Sequence, residues 1–276
     1  MKIGVRAHDF GRSEPEILAE AIAGAGFQTT QLALTKAVAN VSSLSDVTGE
    51  MLCGVRRAFE DSKVEIGVLG CYIEPSYSDK DARLLEVKKF LTGLEYAKEL
   101  GVNLVGTETT HFDPDPSNEP LRESAYQNLK DSVLRMVERA ETLGVNIGIE
   151  AVANHTLNTA VLTRRLLDEV NSRRLRVIFD PVNLILTEAD IEGQDKLFAD
   201  FLGAVGDKIS ALHVKDIVFE NGAKVWRNIG NGNINYPPIF EWLCRNNANL
   251  PVLREEVEPK SAETDIMAMR QIIFHR

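Results

Sequence analysis

The chain has 276 residues, 44% of them hydrophobic, with 31 basic residues against 41 acidic ones and a net charge of −10. That is enough for one large core, and α/β barrels of about 250 residues are usually single domains. The acidic balance and the lack of any long Lys/Arg run argue against a nucleic-acid partner, and no window approaches the roughly 20 apolar residues of a membrane span.

Strand-like apolar runs recur along the chain, separated by segments of helical spacing. The first, Ile3–Ala7, follows a start too short and polar for a secretory signal and ends at His8. A histidine there is either a mouth residue or simply hydrogen-bonded in place. Ser13-Glu-Pro-Glu16 has the form of a capping box and predicts the first helix. Thr29–Ala33 and Ile66–Cys71 read as the next two strands. Leu84, Val87, Leu91, Leu94 and Ala97 then mark one face of a helix. Leu104–Thr107 is the fourth strand, and Glu108 and His111 follow it where hydroxyl recognition or a capped turn would serve equally.

Leu129, Val133, Met136, Val137, Ala140 and Leu143 mark the next helix, before the fifth strand Ile147–Ala151. Leu162, Leu166, Leu167 and Val170 mark another, before Val177–Phe179. Ile209–Val214 and Pro251–Leu253 are the last two strands, and Ile266, Met269, Ile272 and Ile273 the final helix. Gly26, Gly101 and Gly144 each precede a strand by a few residues, where a glycine ends a helix in the left-handed conformation. Eight βα repeats without a low-complexity linker predict one (β/α)8 TIM barrel, a single domain over 1–276. A doubly wound open sheet is the alternative, but the first turn, Val5-Arg-Ala-His-Asp-Phe-Gly11, has no GxGxxG. Three widely spaced cysteines, Cys53, Cys71 and Cys244, without a CxxC, fit a reduced, cytoplasmic chain.

Four of the runs end in a metal-type ligand: Glu150, Asp180, His213 and Glu255. An ionisable group after several apolar residues is costly inside a core. It makes sense at a barrel mouth, where the C-terminal ends of all parallel strands converge. Any one such carboxylate could merely cap the next helix. Together, three oxygen ligands and one nitrogen suit Mn²⁺, Mg²⁺ or Co²⁺ better than a thiolate-seeking metal. At the last strand, alternation puts Val252 and Arg254 on one side and Leu253 and Glu255 on the other. Arg254 is expected to reach solvent between helices, which favours Glu255, with Glu256 as the rival.

The pieces Ile149-Glu150-Ala, Phe179-Asp180-Pro-Val-Asn183, His213-Val-Lys-Asp216, Asn228-Ile-Gly230-Asn-Gly232-Asn and Pro251-Val-Leu-Arg-Glu255 carry a resemblance. The chain is similar to the xylose isomerase-like TIM-barrel superfamily, in particular its sugar phosphate isomerase/epimerase members. Ketose 3-epimerases, hydroxypyruvate isomerases, inosose dehydratase and endonuclease IV are among the relatives. The pieces cover the C-terminal half; the N-terminal half matches only in its strand–helix rhythm. The resemblance implies metal ligation by Glu150, Asp180, His213 and Glu255, with Mn²⁺ first and Mg²⁺, Co²⁺ or Zn²⁺ as alternatives. It implies that Glu150 and Glu255 also move the proton, one on each face of the substrate carbon, through a metal-bound enediolate.

The expected substrate is a small carbohydrate: a sugar, sugar phosphate or polyol ketone. An inosose-type dehydratase is the second reading. A phosphodiesterase like endonuclease IV is remote, because that family builds its site from many histidines and this chain has five. A homodimer or a homotetramer is left open. By the resemblance, His155 and Asn183 lie where relatives place polar residues at the substrate, although His155 could be a surface-loop histidine and Asn183 could cap the next helix. Lys215 lies on the same side as His213 by alternation and could meet a substrate oxyanion or a ligand carboxylate. Arg227, with the amides of the Gly230-Asn-Gly232 turn, could bind a hydroxyl or phosphate, although a Gly-x-Gly is mostly a tight turn. Trp226 and Phe112 could stack on a sugar's apolar face.

Overall fold

The computed structural model describes residues 1–112 and 119–274; His275, the last of the five histidines, lies outside them. Eight parallel strands close into a barrel in the order expected. They are β1 (Lys2–Arg6), β2 (Thr29–Leu32), β3 (Glu65–Gly70), β4 (Leu104–Thr107), β5 (Asn146–Glu150), β6 (Leu175–Phe179), β7 (Ile209–Val214) and, after an inserted hairpin, β10 (Pro251–Arg254). β10 closes the ring on β1 with Lys2 beside Pro251 and Val5 beside Arg254. Helices run outside: α1 (Pro15–Gly24), α2 (Leu34–Ala37), α3 (Gly49–Asp61), α4 (Lys80–Leu100), α5 (Glu119–Leu143), α6 (Ala160–Val170), α7 (Glu188–Glu192), α8 (Gln194–Val205), α9 (Pro237–Asn246) and α10 (Ala262–Phe274). None of the helices among the described residues is long and apolar enough to cross a membrane.

Two apolar layers hold the barrel. The larger lies between strands and helices, and a small lumen cluster is built from Val68, Leu104, Ile178, Ala211 and Leu253. The lumen cluster fixes the aim of the site. Side chains alternate across a strand, so a residue two beyond a lumen residue also faces the axis, one layer nearer the mouth. Asp180 follows Ile178, His213 follows Ala211 and Glu255 follows Leu253 at that spacing. Gly26, Gly101 and Gly144 have φ of +92°, +75° and +74°, as helix-ending glycines require.

Three expectations need correction. The first helix opens on Pro15 with Glu14 at its N-cap and no side-chain cap. Ser13 instead pairs backbone to backbone with the chain at 37–39, its amide donating to Ala37 O at 3.1 Å, so it is drawn away from the helix end. Arg254 does not reach solvent. It is 1% exposed and ion-paired to Asp265 of α10, because the outer side of a barrel strand lies under a helix.

The third concerns the segment after β7. It folds as an antiparallel hairpin, β8 (Asp216–Glu220) and β9 (Ala223–Arg227), around Asn221-Gly222. Both turn residues have positive φ, +52° and +76°, as a two-residue type I′ turn demands. The amides of Gly230 and Gly232, which could have bound a substrate anion or merely formed a tight turn, both donate to Asp216 Oδ2 at 3.0 Å. Ile217 and Ile234 amides donate to Oδ1. The glycine turn thus binds an anion, but that anion is the protein's own carboxylate. A Cβ on Gly232 would sit 2.1 Å from Asp216 Oδ1. Gly232→Ala is therefore expected to cost on the order of 2–4 kcal/mol, by overpacking and by loss of amide bonds to a buried carboxylate. Urea denaturation checks this; a cost below about 0.5 kcal/mol, the range of an inert surface change, would refute it.

Candidate metal centre

Glu150 ends β5, Asp180 follows β6, His213 lies in β7 and Glu255 follows β10. All four are at most 5% exposed. Ligand atoms of Glu150, Asp180 and His213 lie within 4.8 Å of one another, a group that could hold a metal ion. His213 Nδ1 is the hub: it stands 3.3 Å from Glu150 Oε2, 3.3 Å from Glu255 Oε1 and 3.9 Å from Asp180 Oδ2. Glu256 turns away at φ +57° and pairs with Arg6 Nη2 at 2.8 Å. Arg6 Nη1 also approaches Glu255 Oε2, at 3.6 Å.

The hydrogen-bond network tests whether a cation belongs there. Gln31 Nε2 donates to Tyr72 OH at 2.6 Å, which leaves Gln31 Oε1 as the acceptor for His213 Nε2–H at 2.7 Å. A neutral imidazole then aims the bare Nδ1 lone pair at three carboxylates. Nδ1 is buried without a hydrogen-bond partner among the described residues. A proton or a metal ion between it and the carboxylates removes that repulsion. Burial alone would lower the pKa of His213, but Glu255 and Glu150 outweigh it and raise it to about 9. Without metal, the imidazole is held as a cation. The donor set therefore fits a divalent metal, which would take the proton's place.

Lys215 supplies a second cation. Its Nζ lies 2.9 Å from Glu255 Oε2, a hydrogen bond, and 2.7 Å from Asp180 Oδ2 as an ion pair. Burial opposes its charge, but Asp180 and Glu255 raise its pKa well above the usual value. Glu255 is pressed the opposite way: burial alone would raise its pKa, and Lys215, His213 and Arg6 bring it below the ordinary range. Asp180 Oδ1 accepts from the amides of Val182 and Asn183, which fixes the carboxylate in a tight turn.

The other sequence-marked residues divide. Asn183 Nδ2 donates to Glu150 Oε1, so it orients that carboxylate. His155 Nε2 lies 4.0 Å from Glu108 Oε2, and its ring meets His111 edge-on. Burial pushes the pKa of His8 down to about 4, with Arg6 and Lys36 adding to it, so His8 is neutral. The Trp226 ring centre lies 5.7 Å from Lys215 Nζ. Phe112 is covered by the Arg122 guanidinium. Arg227 is turned into the hairpin and paired with Glu220, not brought to the cluster.

Sequence reasoning missed Gln31, Tyr72, Arg6 and Lys36, whose ammonium caps the Tyr72 ring at 4.0 Å. The signal was present: Gln31 is the one amide side chain in a short strand, and Tyr72 stands two residues beyond the end of β3.

Glu108 carries a pH prediction. Burial, and then the charge of Glu150, raise its pKa from 4.5 to about 7. A carboxyl whose folded pKa is raised favours the fold below its unfolded pKa. That contribution is lost as pH rises from about 4.5 to about 7. Glu108→Gln should therefore stabilise the metal-free protein above pH 7 and not below pH 4.5. The side chain is 39% exposed, so solvent screening reduces the gain to about 1 kcal/mol. Melting temperatures across that range check it; a gain that is equal at both ends would refute it.

A family model for the xylose isomerase-like TIM barrel matches residues 19–272. A curated ketose 3-epimerase from Arthrobacter globiformis is 26% identical over 154 residues, 55% of this chain and 48% of that protein. The match thus spans about half the length of that relative. A crystal structure of D-psicose 3-epimerase in the presence of D-fructose superposes with a TM-score of 0.78 at 16% identity, covering 99% of each chain. The IOLI protein with a bound zinc atom gives 0.76 at 17% identity, over 99% of this chain and 98% of that one. At such identities the two structural likenesses are likenesses of fold.

Proposed function

Because the chain belongs to the xylose isomerase-like TIM barrel family, we propose that it is a divalent-metal-dependent isomerase or epimerase of a small ketose, working by proton transfer through an enediolate. The observation that carries this is the convergence of Glu150, Asp180, Glu255 and His213 at one barrel mouth, with His213 Nδ1 buried among their carboxylates without a hydrogen-bond partner among the described residues. Names of the relatives support the substrate class: ketose 3-epimerase and D-psicose 3-epimerase. Mn²⁺ is the first choice of metal, and the whole chain, 1–276, is proposed to act as one catalytic domain.

Glu150, Asp180, His213 and Glu255 would hold the ion. When bound, a divalent cation polarises a carbonyl and its neighbouring hydroxyl and so acidifies the C–H between them. The protein's own part is proton handling. Glu150, from β5, and Glu255, from the end of β10, each come within 3.3 Å of His213 Nδ1. One carboxylate removes the proton from one face of the substrate carbon and the other returns it to the opposite face. Asn183 keeps Glu150 turned to its task, and Lys215 keeps Glu255 ionised and so able to accept a proton. Gln31 fixes the imidazole ring.

A dehydratase on the same site is the second reading. Loss of a hydroxyl needs a general acid, for which His155, its Nε2 4.0 Å from Glu108 Oε2, could serve. A phosphodiesterase like endonuclease IV is disfavoured by the donor set, which has one imidazole against three carboxylates. Incubation of the Mn²⁺-loaded protein with a ketose panel in D₂O distinguishes these. Deuterium beside the carbonyl without loss of water supports the isomerase or epimerase; a dicarbonyl product with new ultraviolet absorbance supports the dehydratase. Absence of both across the panel would refute the two together.

A further inference from the structure

Between the β8–β9 hairpin and the loops after β5 and β6 lies a cavity of about 350 Å³. That is within the range of roughly 300–1,000 Å³ seen for small-molecule sites. Val152, Asn154, Asn183, Leu186, Phe219 and Lys224 line it. It adjoins the proposed reaction centre, because Asn183 on its wall also donates to Glu150.

Two donors on this wall are uncommitted. Lys224 is half-buried, and its ammonium makes one long hydrogen bond, 3.3 Å to Val182 O. Among the described residues no carboxylate comes within ion-pair distance of it. Asp180 and Asp190 act on it only from farther away, while burial and the charge of Lys215 lower its pKa. The Asn154 side chain makes no hydrogen bond with another described residue. A half-buried cation with no counter-ion, facing an open cavity, draws an anion. Of the other cations near the mouth, Lys215 is held by Asp180 and Glu255, Arg227 by Glu220 and Arg6 by Asp9 and Glu256, while Lys36 lies over the Tyr72 ring and does not line this cavity.

We infer that this cavity is an anion subsite, and that the ketose bears a phosphate ester or carboxylate at the end remote from the reacting carbons, bound by Lys224 and Asn154. The inference rests on the ketose reading and names its substrate class. The anion anchor expected from the sequence, Arg227 with the glycine turn, is replaced by a lysine on the same strand of the hairpin.

Calorimetric titration of the Mn²⁺-loaded protein tests this with a hexulose, its 6-phosphate and the corresponding hexulose carrying a terminal carboxylate. At least one anionic compound should bind on the order of tenfold tighter than the hexulose, the size of one charge-assisted contact. Advantage for the phosphate alone assigns a phosphate ester, and for the carboxylate alone a sugar acid. Lys224→Met should remove the advantage and Lys224→Arg should keep it. Asn154→Asp, which adds a negative charge to the same wall, should cost the anions more than the hexulose. Equal binding of all three compounds, or a full advantage retained by a folded Lys224→Met, would overturn the subsite. Deuterium exchange run alongside keeps the two claims apart. Anion preference without exchange supports the subsite and overturns the isomerase reading. Exchange without anion preference overturns the subsite alone.

Discussion

Glu150→Gln is expected to leave the barrel folded and to lower turnover on the order of 10²- to 10⁴-fold, the usual worth of a positioned general base. Glutamine has the same shape, and its Oε1 can still accept from Asn183 Nδ2, so the local hydrogen bond survives. What disappears is the negative charge 3.3 Å from His213 Nδ1 and the capacity to take a proton. Asp180→Asn separates metal binding from proton transfer. Its Oδ1 still accepts from Val182 and Asn183 amides, so the turn holds. Its other atom becomes an amide nitrogen that faces Lys215 Nζ, 2.7 Å away in the wild type. Donor then faces donor, and Mn²⁺ affinity should fall on the order of tenfold or more. Circular dichroism, Mn²⁺ titration of stripped protein and turnover of the reloaded enzyme check both variants. If both keep full activity after stripping and reloading, the assignment of the site is wrong.

The barrel was legible because buried parallel strands are written as short apolar runs, and each run here has no competing helical period. The cluster was legible because an ionisable residue at the end of such a run is tolerated chiefly where the strand leaves the core, at the barrel mouth. The alternation that selects Glu255 over Glu256 is local and survives folding. What failed was long-range. Arg254 faces away from the lumen, as alternation says, but its partner Asp265 sits on a helix whose docking angle no local rule gives. Gln31 and Tyr72 matter only because His213 arrives beside them from the other side of the barrel. The hairpin was missed despite its Asn221-Gly222 signal, because a search for strand–helix alternation passes over a strand pair. Asp216 was read as one half of a motif, yet its carboxylate organises the turn of the other half.

Asp265→Asn is expected to cost roughly 3–5 kcal/mol of stability, since it strands a buried charge. Arg254 is 1% exposed and its guanidinium cannot shed its proton, so the folded state must keep the charge unpaired. Arg254→Met should cost less, because it leaves no guanidinium buried without its partner. Asp265 Oδ1 would also retain the Ile229 amide, 3.0 Å away. Replacing both, as Arg254→Met with Asp265→Leu, should recover much of the loss, since two apolar groups need no partner. Urea denaturation of the wild type, Arg254→Met, Asp265→Leu and the double variant closes the cycle and gives the coupling energy. Single costs below about 1 kcal/mol that simply add would mean that the pair does not fasten β10 to α10. The pair also bears on the reaction centre. Arg254 Nη2 donates to Arg227 O, and Asp265 holds Ile229, so both residues grip the chain leaving the hairpin. The residue after Arg254 is Glu255. Loosening the pair should therefore disturb Glu255 and the hairpin together, and turnover should fall more steeply than the folded fraction.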